Sequence, residues 1–240
     1  DSEWVPAPHA LLAVSCLDGY ISFWDVHADE LAWRKPSLVA HVHARSFTPQ
    51  TGLRYVPLCD CLFSWSSGGP ESFEILVWEL KFGLTGPPSV KCELHHHLAP
   101  VKAALFVPAP HCVLATASMD RTIALWDCSL TAGVQEEPEI CGNLKGHKYG
   151  VHSLAYSRDH DLLFSAAFDF EVAGWDVGTE YVQMRLVGHR ASLVGIAIVE
   201  HETERALSGD ADGVFKLWDI RRELGARGLC VQSFTAQMGF

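Results

Sequence analysis

The chain has 240 residues, 48% of them apolar and 20% charged, and its formal net charge is -11. That is the composition of an ordinary globular protein with a sizeable core, and the excess of acid argues against a nucleic-acid footprint, which shows as a basic domain. No apolar run nears the ~18 residues of a membrane span, and no signal-peptide pattern opens the chain.

The first elements are short and strand-like. Glu3–Pro6 reads as the end of one strand, Leu11–Ser15 as the next, and Tyr20–Trp24 as a third after a turn at Asp18-Gly19. A second, divergent group follows at Gly52–Val56, Cys61–Ser64 and Glu74–Trp78, with Ser67, Gly68, Gly69, Pro70 and Glu71 inside an enlarged loop. Gly and Pro mark loops for backbone reasons. This loop reads equally as a partner contact on a rigid scaffold or as a tolerated insertion. His41 and His43 both fit the position of the histidine that should precede this group. Lys81–Pro88 reads as a linker.

Val101–Val107, Cys112–Ala117 and Thr122–Trp126 form the third group, and Cys128–Pro138 is an acidic loop after it. The run His95-His96-His97 raises a metal site, since imidazole is a common ligand. Adjacent residues of an extended strand point to opposite faces, however, so the three rings should not converge. Val151–Tyr156, Leu162–Ala166 and Val172–Trp175 make the fourth group. Tyr181–Leu186 leads into the fifth, which is Leu193–Val199, Arg205–Ser208 and Val214–Trp218. Asp210-Ala-Asp212-Gly213 has the opening of a calcium loop without the distal Glu, and a tight turn explains it better. Leu229–Phe234 is a final strand, and Arg221-Arg222 reads as a solubility or partner-contact pair.

The 8 cysteines (Cys16, Cys59, Cys61, Cys92, Cys112, Cys128, Cys141 and Cys230) lie mostly in apolar runs. They read as small buried hydrophobes in a reducing compartment rather than a disulfide framework. Cys59-Asp-Cys61 has no second pair at zinc-finger spacing.

One constellation recurs. His97, Thr116, Asp120 and Trp126 are followed by His147, Ser165, Asp169 and Trp175, then by His189, Ser208, Asp212 and Trp218. In each copy the Asp precedes the Trp by 6 residues and the hydroxyl precedes the Asp by 4. A His, hydroxyl and carboxylate also make a catalytic triad. A trio repeated once per unit fits a structural role better, because catalysis needs one site with an activated nucleophile.

These motifs, with the Gly-His pairs at Gly146-His147 and Gly188-His189, resemble the WD-repeat (WD40) family. The resemblance implies an all-β fold, a β-propeller of four-stranded blades. It implies about five blades here, ending near Asp25, Glu79, Asp127, Asp176 and Asp219, with residues 1–240 expected to be part of a longer, seven-bladed or double, propeller. It also implies a buried hydrogen-bonded set of Trp, hydroxyl, His and Asp in each blade. The first blade departs from the pattern, with Val14 in the hydroxyl position, and the second replaces Trp-Asp by Trp78-Glu79.

Gly188–Gly195, Asp210–Arg221 and Cys230–Phe234 look similar to WD-repeat proteins of cilia and flagella, some of which carry an EF-hand segment. That likeness implies a non-catalytic scaffold of the axoneme, with tubulin or axonemal proteins as partners in a larger complex, in the cytoplasm at the cilium or flagellum. A cytosolic or nuclear adaptor or peptide-recognising substrate receptor is the alternative. No phosphate-binding loop, zinc-protease pair or nucleophile elbow is found, and no catalytic residue, cofactor, metal, nucleic acid or membrane is expected.

Overall fold

The computed structural model describes residues 1–6, 11–25, 37–44, 49–66, 73–80, 87–129, 137–199, 204–221 and 227–236. All regular structure among them is β-strand, in five antiparallel four-stranded sheets. The first blade is β1 (Ser2–Val5), β2 (Leu11–Ser15), β3 (Tyr20–Asp25) and β4 (Ser37–His43). The second is β5 (Gln50–Val56), β6 (Cys61–Ser66), β7 (Ile75–Glu79) and β8 (Ser89–Leu94). The third is β9 (Val101–Val107), β10 (Val113–Ser118), β11 (Thr122–Asp127) and β12 (Glu139–Lys145). The fourth is β13 (Val151–Ser157), β14 (Leu162–Ala167), β15 (Glu171–Trp175) and β16 (Val182–Val187). The fifth is β17 (Leu193–Val199), β18 (Arg205–Asp210), β19 (Val214–Asp219) and β20 (Leu229–Thr235).

Every blade is a simple meander, and the first strand of each lies beside the first strand of the next. This is the blade architecture expected from the sequence, with one shift. Val182–Val187 leads toward the fifth repeat in sequence but closes the fourth sheet, pairing with β15 from Val187↔Glu171 to Val182↔Trp175. The sequence repeat is therefore offset by one strand from the structural blade.

Stacking produces four interblade cores. Strand alternation sends successive side chains to opposite faces, and here both faces of a middle strand are covered. Leu163 of β14 packs with Ala115, Ile123 and Leu125 of the third blade, whereas Leu162 and Phe164 pack with Leu193, Ile196 and Trp218 of the fifth. That double burial explains why β6, β10 and β14 are buried at every residue and read as continuous apolar runs rather than alternating ones. The fully buried Trp78, Trp175 and Trp218 fill these seams.

Candidate functional site: the repeated buried polar sets

In the second to fifth blades, strand pairing places one hydroxyl opposite the residue two before the Trp. Thr116 faces Ala124, Ser165 faces Ala173 and Ser208 faces Lys216. In the third blade the Trp126 indole N–H donates to Thr116 Oγ1 at 2.9 Å, His97 Nε2 is 2.9 Å from the same oxygen, and His97 Nδ1 is 2.8 Å from Asp120 Oδ2. In the fourth, Trp175 donates to Ser165 Oγ at 2.7 Å, and His147 spans Ser165 (2.7 Å) and Asp169 (2.9 Å).

The chemistry of the groups fixes the direction of each chain. An ionised carboxylate only accepts, so the imidazole Nδ1 carries the proton. The hydroxyl oxygen accepts from the indole, and its O–H has imidazole Nε2 and the carbonyl of Ala124 or Ala173 within reach. The second carboxylate oxygen caps the turn, taking Thr122 N–H in the third blade and Glu171 N–H in the fourth. Burial alone would raise the carboxyl pKa of Asp120 and Asp169. Hydrogen bonds from His97 and Thr122, and from His147 with the backbone N–H groups of Lys148 and Glu171, hold both below the usual carboxylate range.

The fifth blade differs from the sequence expectation. Trp218 donates to Ser208 at 2.8 Å and His189 Nε2 is 2.7 Å from Ser208, but His189 Nδ1 is 2.7 Å from Asp210, not from Asp212. Ser208 and Asp210 are two apart on β18, so their side chains share a face and both reach the imidazole. Asp210 also accepts the Asp212 and Val214 N–H groups, the capping work that Asp120 performs. Asp212 is left exposed in the turn. Burial would raise the Asp210 pKa, but His189 and the Val214 N–H lower it.

In the fourth and fifth blades the glycine before the His lies close to the Trp ring. A Cβ at Gly146 would lie 3.1 Å from the Trp175 ring, and one at Gly188 would lie 3.3 Å from the Trp218 ring. The third blade has His96 at this position, edge-on to Trp126 with its Nε2 accepting from the Asn143 amide at 2.9 Å. The three consecutive histidines do diverge: His97 joins the buried set, His96 turns to Asn143, and His95 lies 3.6 Å from Glu93.

Two further bonds extend the pattern into the divergent blades. Trp78 donates to the fully buried Ser64 at 2.9 Å, and Ser64 faces Leu76 as Thr116 faces Ala124. In the first blade Val14 keeps the hydroxyl position, and Ser22, which faces it from β3, bonds His41 Nδ1 at 2.8 Å across β3–β4. His41 stacks on Tyr20 and His43 meets the same ring edge-on, so both imidazoles pack within the first blade. The loop residues Ser67, Gly68, Gly69, Pro70 and Glu71 lie outside the described residues.

As chemistry, each set is closed. Ser165 has no exposed surface, and its oxygen is bonded to both the indole and the imidazole. The arrangement has triad distances without a path for a substrate to the hydroxyl. The cysteines are unpaired thiols. Hydrogen bonding to Cys128 pushes the Cys59 thiol up to about 12, and the bond to Cys59 with burial raises that of Cys61. Glu74, Glu93 and His95 present three ligand atoms within 4.8 Å of one another at a partly exposed position, and these are the described residues best arranged to hold a metal ion.

Five stacked four-stranded meanders, of which the third, fourth and fifth hold a buried Trp–hydroxyl–His–Asp set, define a β-propeller type of repeat protein. The family pattern described as WD domain, G-beta repeat matches residues 88–127 and 138–176, so the chain carries WD repeats there. The match covers the third and fourth repeats, and the geometry shows the same set in the fifth. Periodic tryptophan protein 2 of Arabidopsis thaliana is 29% identical over 78% of this chain and 18% of its own length. Cilia- and flagella-associated protein 337 B of Tetrahymena thermophila is 30% identical over 45% of this chain and 8% of its own. A ribosome biogenesis protein WDR12 homolog of Aedes aegypti is 25% identical over 54% of this chain and 35% of its own. The chain thus spans about a third or less of the length of these relatives.

Proposed function

We propose that the chain is a non-catalytic platform that holds other proteins together in a larger assembly. The observation that carries this reading is the closure of the polar sets. Their hydroxyls and imidazoles bond one another inside the blades, which leaves the turns and outer strands as the surfaces open to partners. Loops on a rigid scaffold are where such contacts concentrate.

The favoured setting is the axoneme of a cilium or flagellum, with tubulin or axonemal proteins as partners. It is supported by the resemblance, over about residues 140–235, to ciliary WD-repeat proteins and by the relative whose name places it there. A second setting, an adaptor in a cytosolic or nuclear complex, is supported by the relative named for ribosome biogenesis, which is similar over a larger share of the chain. Detergent extraction of ciliated cells, followed by a high-salt wash, separates the two. Retention with the axoneme and cross-links to tubulin or its neighbours support the first. Release into the detergent-soluble fraction with co-purifying nuclear or cytosolic proteins overturns it in favour of the second.

A further inference from the structure

The exposed side chains at the two ends of the third to fifth blades differ in charge. In a meander, the turn between the second and third strands and the loop entering the next blade lie at one end, and the remaining turns lie at the other. The first kind are held together by their own bonds: Leu98 N–H donates to Asp120, and Lys148 N–H donates to Asp169. At this end of the third to fifth blades, Arg121, Lys145, Lys148 and Arg190 are exposed, in a chain whose net charge is -11. Asp120, Asp169 and Asp210 turn inward to histidines, Glu171 pairs with Arg185 at 2.9 Å and Glu93 lies 3.6 Å from His95, so that among the described residues of these turns and loops Asp212 is the exposed carboxylate. The opposite end holds Asp127, Asp159, Asp161, Asp176, Glu180 and Glu204 alongside Arg158, Arg221 and Arg227.

Large apolar side chains stand among the cations. Leu98 is 84% exposed, Tyr149 62% and Phe170 41%. Tyr149 and Lys148 are neighbours in one loop, and Phe170 belongs to the turn whose Asp169 binds that loop. These side chains are not recruited to any interblade core, although an apolar body with a basic surround is the composition of a contact surface.

We propose that this end of the third to fifth blades docks an acidic segment of a partner protein, one with apolar side chains set among its carboxylates. This deepens the platform reading above and rests on it. Charge complementarity selects the partner: Arg121, Lys148 and Arg190 attract carboxylates and steer their approach, while Leu98, Tyr149 and Phe170 take the apolar groups. A nucleic acid is the poorer fit, because a polyanion longer than the patch runs onto the acidic remainder of the chain.

The test uses fluorescence anisotropy with a labelled synthetic peptide in which Glu and Asp alternate with Leu and Phe. A Lys/Arg peptide of the same pattern and an oligouridylate serve as comparisons. The acidic peptide binds, loosens with added salt, and binds about tenfold more weakly to the Lys148→Glu/Arg190→Glu variant and to Tyr149→Ala. All of these variants melt like the parent, because the residues are exposed. Equal binding of the basic peptide, tighter binding of the oligouridylate, or no loss in the variants overturns the proposal. A parallel purification of tagged parent and charge-reversed protein from cells separates the two levels. Partners on both chains alike overturn the acidic-segment proposal and leave the platform standing, whereas a parent chain without partners removes the platform itself.

Discussion

Replacing Thr116 by Val removes one hydroxyl and almost no volume. Thr116 is fully buried, so the methyl that takes the place of Oγ1 opens no cavity. Two partners lose their bond: the Trp126 indole N–H at 2.9 Å and His97 Nε2 at 2.9 Å. A buried polar group left unsatisfied costs about 1–3 kcal/mol, and a new buried methyl returns under about 1 kcal/mol. The net expectation is a loss of about 2–4 kcal/mol, a large part of the ~5–15 kcal/mol that holds a domain together. Thr116→Ser is the control, since it keeps the hydroxyl and loses only a methyl, about 0.8 kcal/mol by transfer. Urea unfolding followed by circular dichroism gives both values. With a slope of about 2–3 kcal/mol/M, Thr116→Val lowers the midpoint by about 1 M. If Thr116→Val is as mild as Thr116→Ser, the hydroxyl does not join the two rings and the reasoning for every blade fails.

The same geometry makes other outcomes definite. Asp210→Asn should destabilise the chain by about 1–3 kcal/mol in urea unfolding, and Asp212→Asn should stay within about 0.5 kcal/mol; the reverse order would restore the sequence expectation. The depressed pKa values of Asp120, Asp169 and Asp210 set the sign of an acid response. Their folded values lie below the unfolded ones, so their stabilisation is present above the unfolded carboxylate pKa of about 4 and is lost as pH falls through the folded values. Thermal melting should therefore decline below pH ~4, and Asp169→Asn should flatten the decline; an unchanged slope in that variant contradicts the assignment. Gly52→Ala should cost about 1–3 kcal/mol by overpacking, because the new Cβ would lie 2.0 Å from the Trp65 ring. A neutral melting shift would mean that the ring moves aside freely.

What was legible in the sequence was what local spacing controls. The Trp, the hydroxyl ten residues before it and the His form one set in the third, fourth and fifth blades because the turn between the middle strands has the same length in each. Ser64 was missed for that reason: its turn is longer by four residues, which displaces it from Trp78 in sequence but not in register. Asp210 was missed because spacing pointed to Asp212, although the two-residue step from Ser208 along a strand already placed it on the correct face. The partnership of Ser22 with His41 crosses between the third and fourth strands of the first blade and needs their pairing to be known. The grouping of exposed cations at one end of the third to fifth blades also depends on which turns lie together, information that appears only once the meanders are folded.

The central claim, that this chain works by holding proteins rather than by transforming a substrate, is tested most directly by native mass spectrometry of the tagged protein purified gently from its own cells. The account predicts defined assemblies with other proteins in fixed stoichiometry. A chain that emerges alone would contradict it, and so would loss of such assemblies without any effect on the protein's role in the cell.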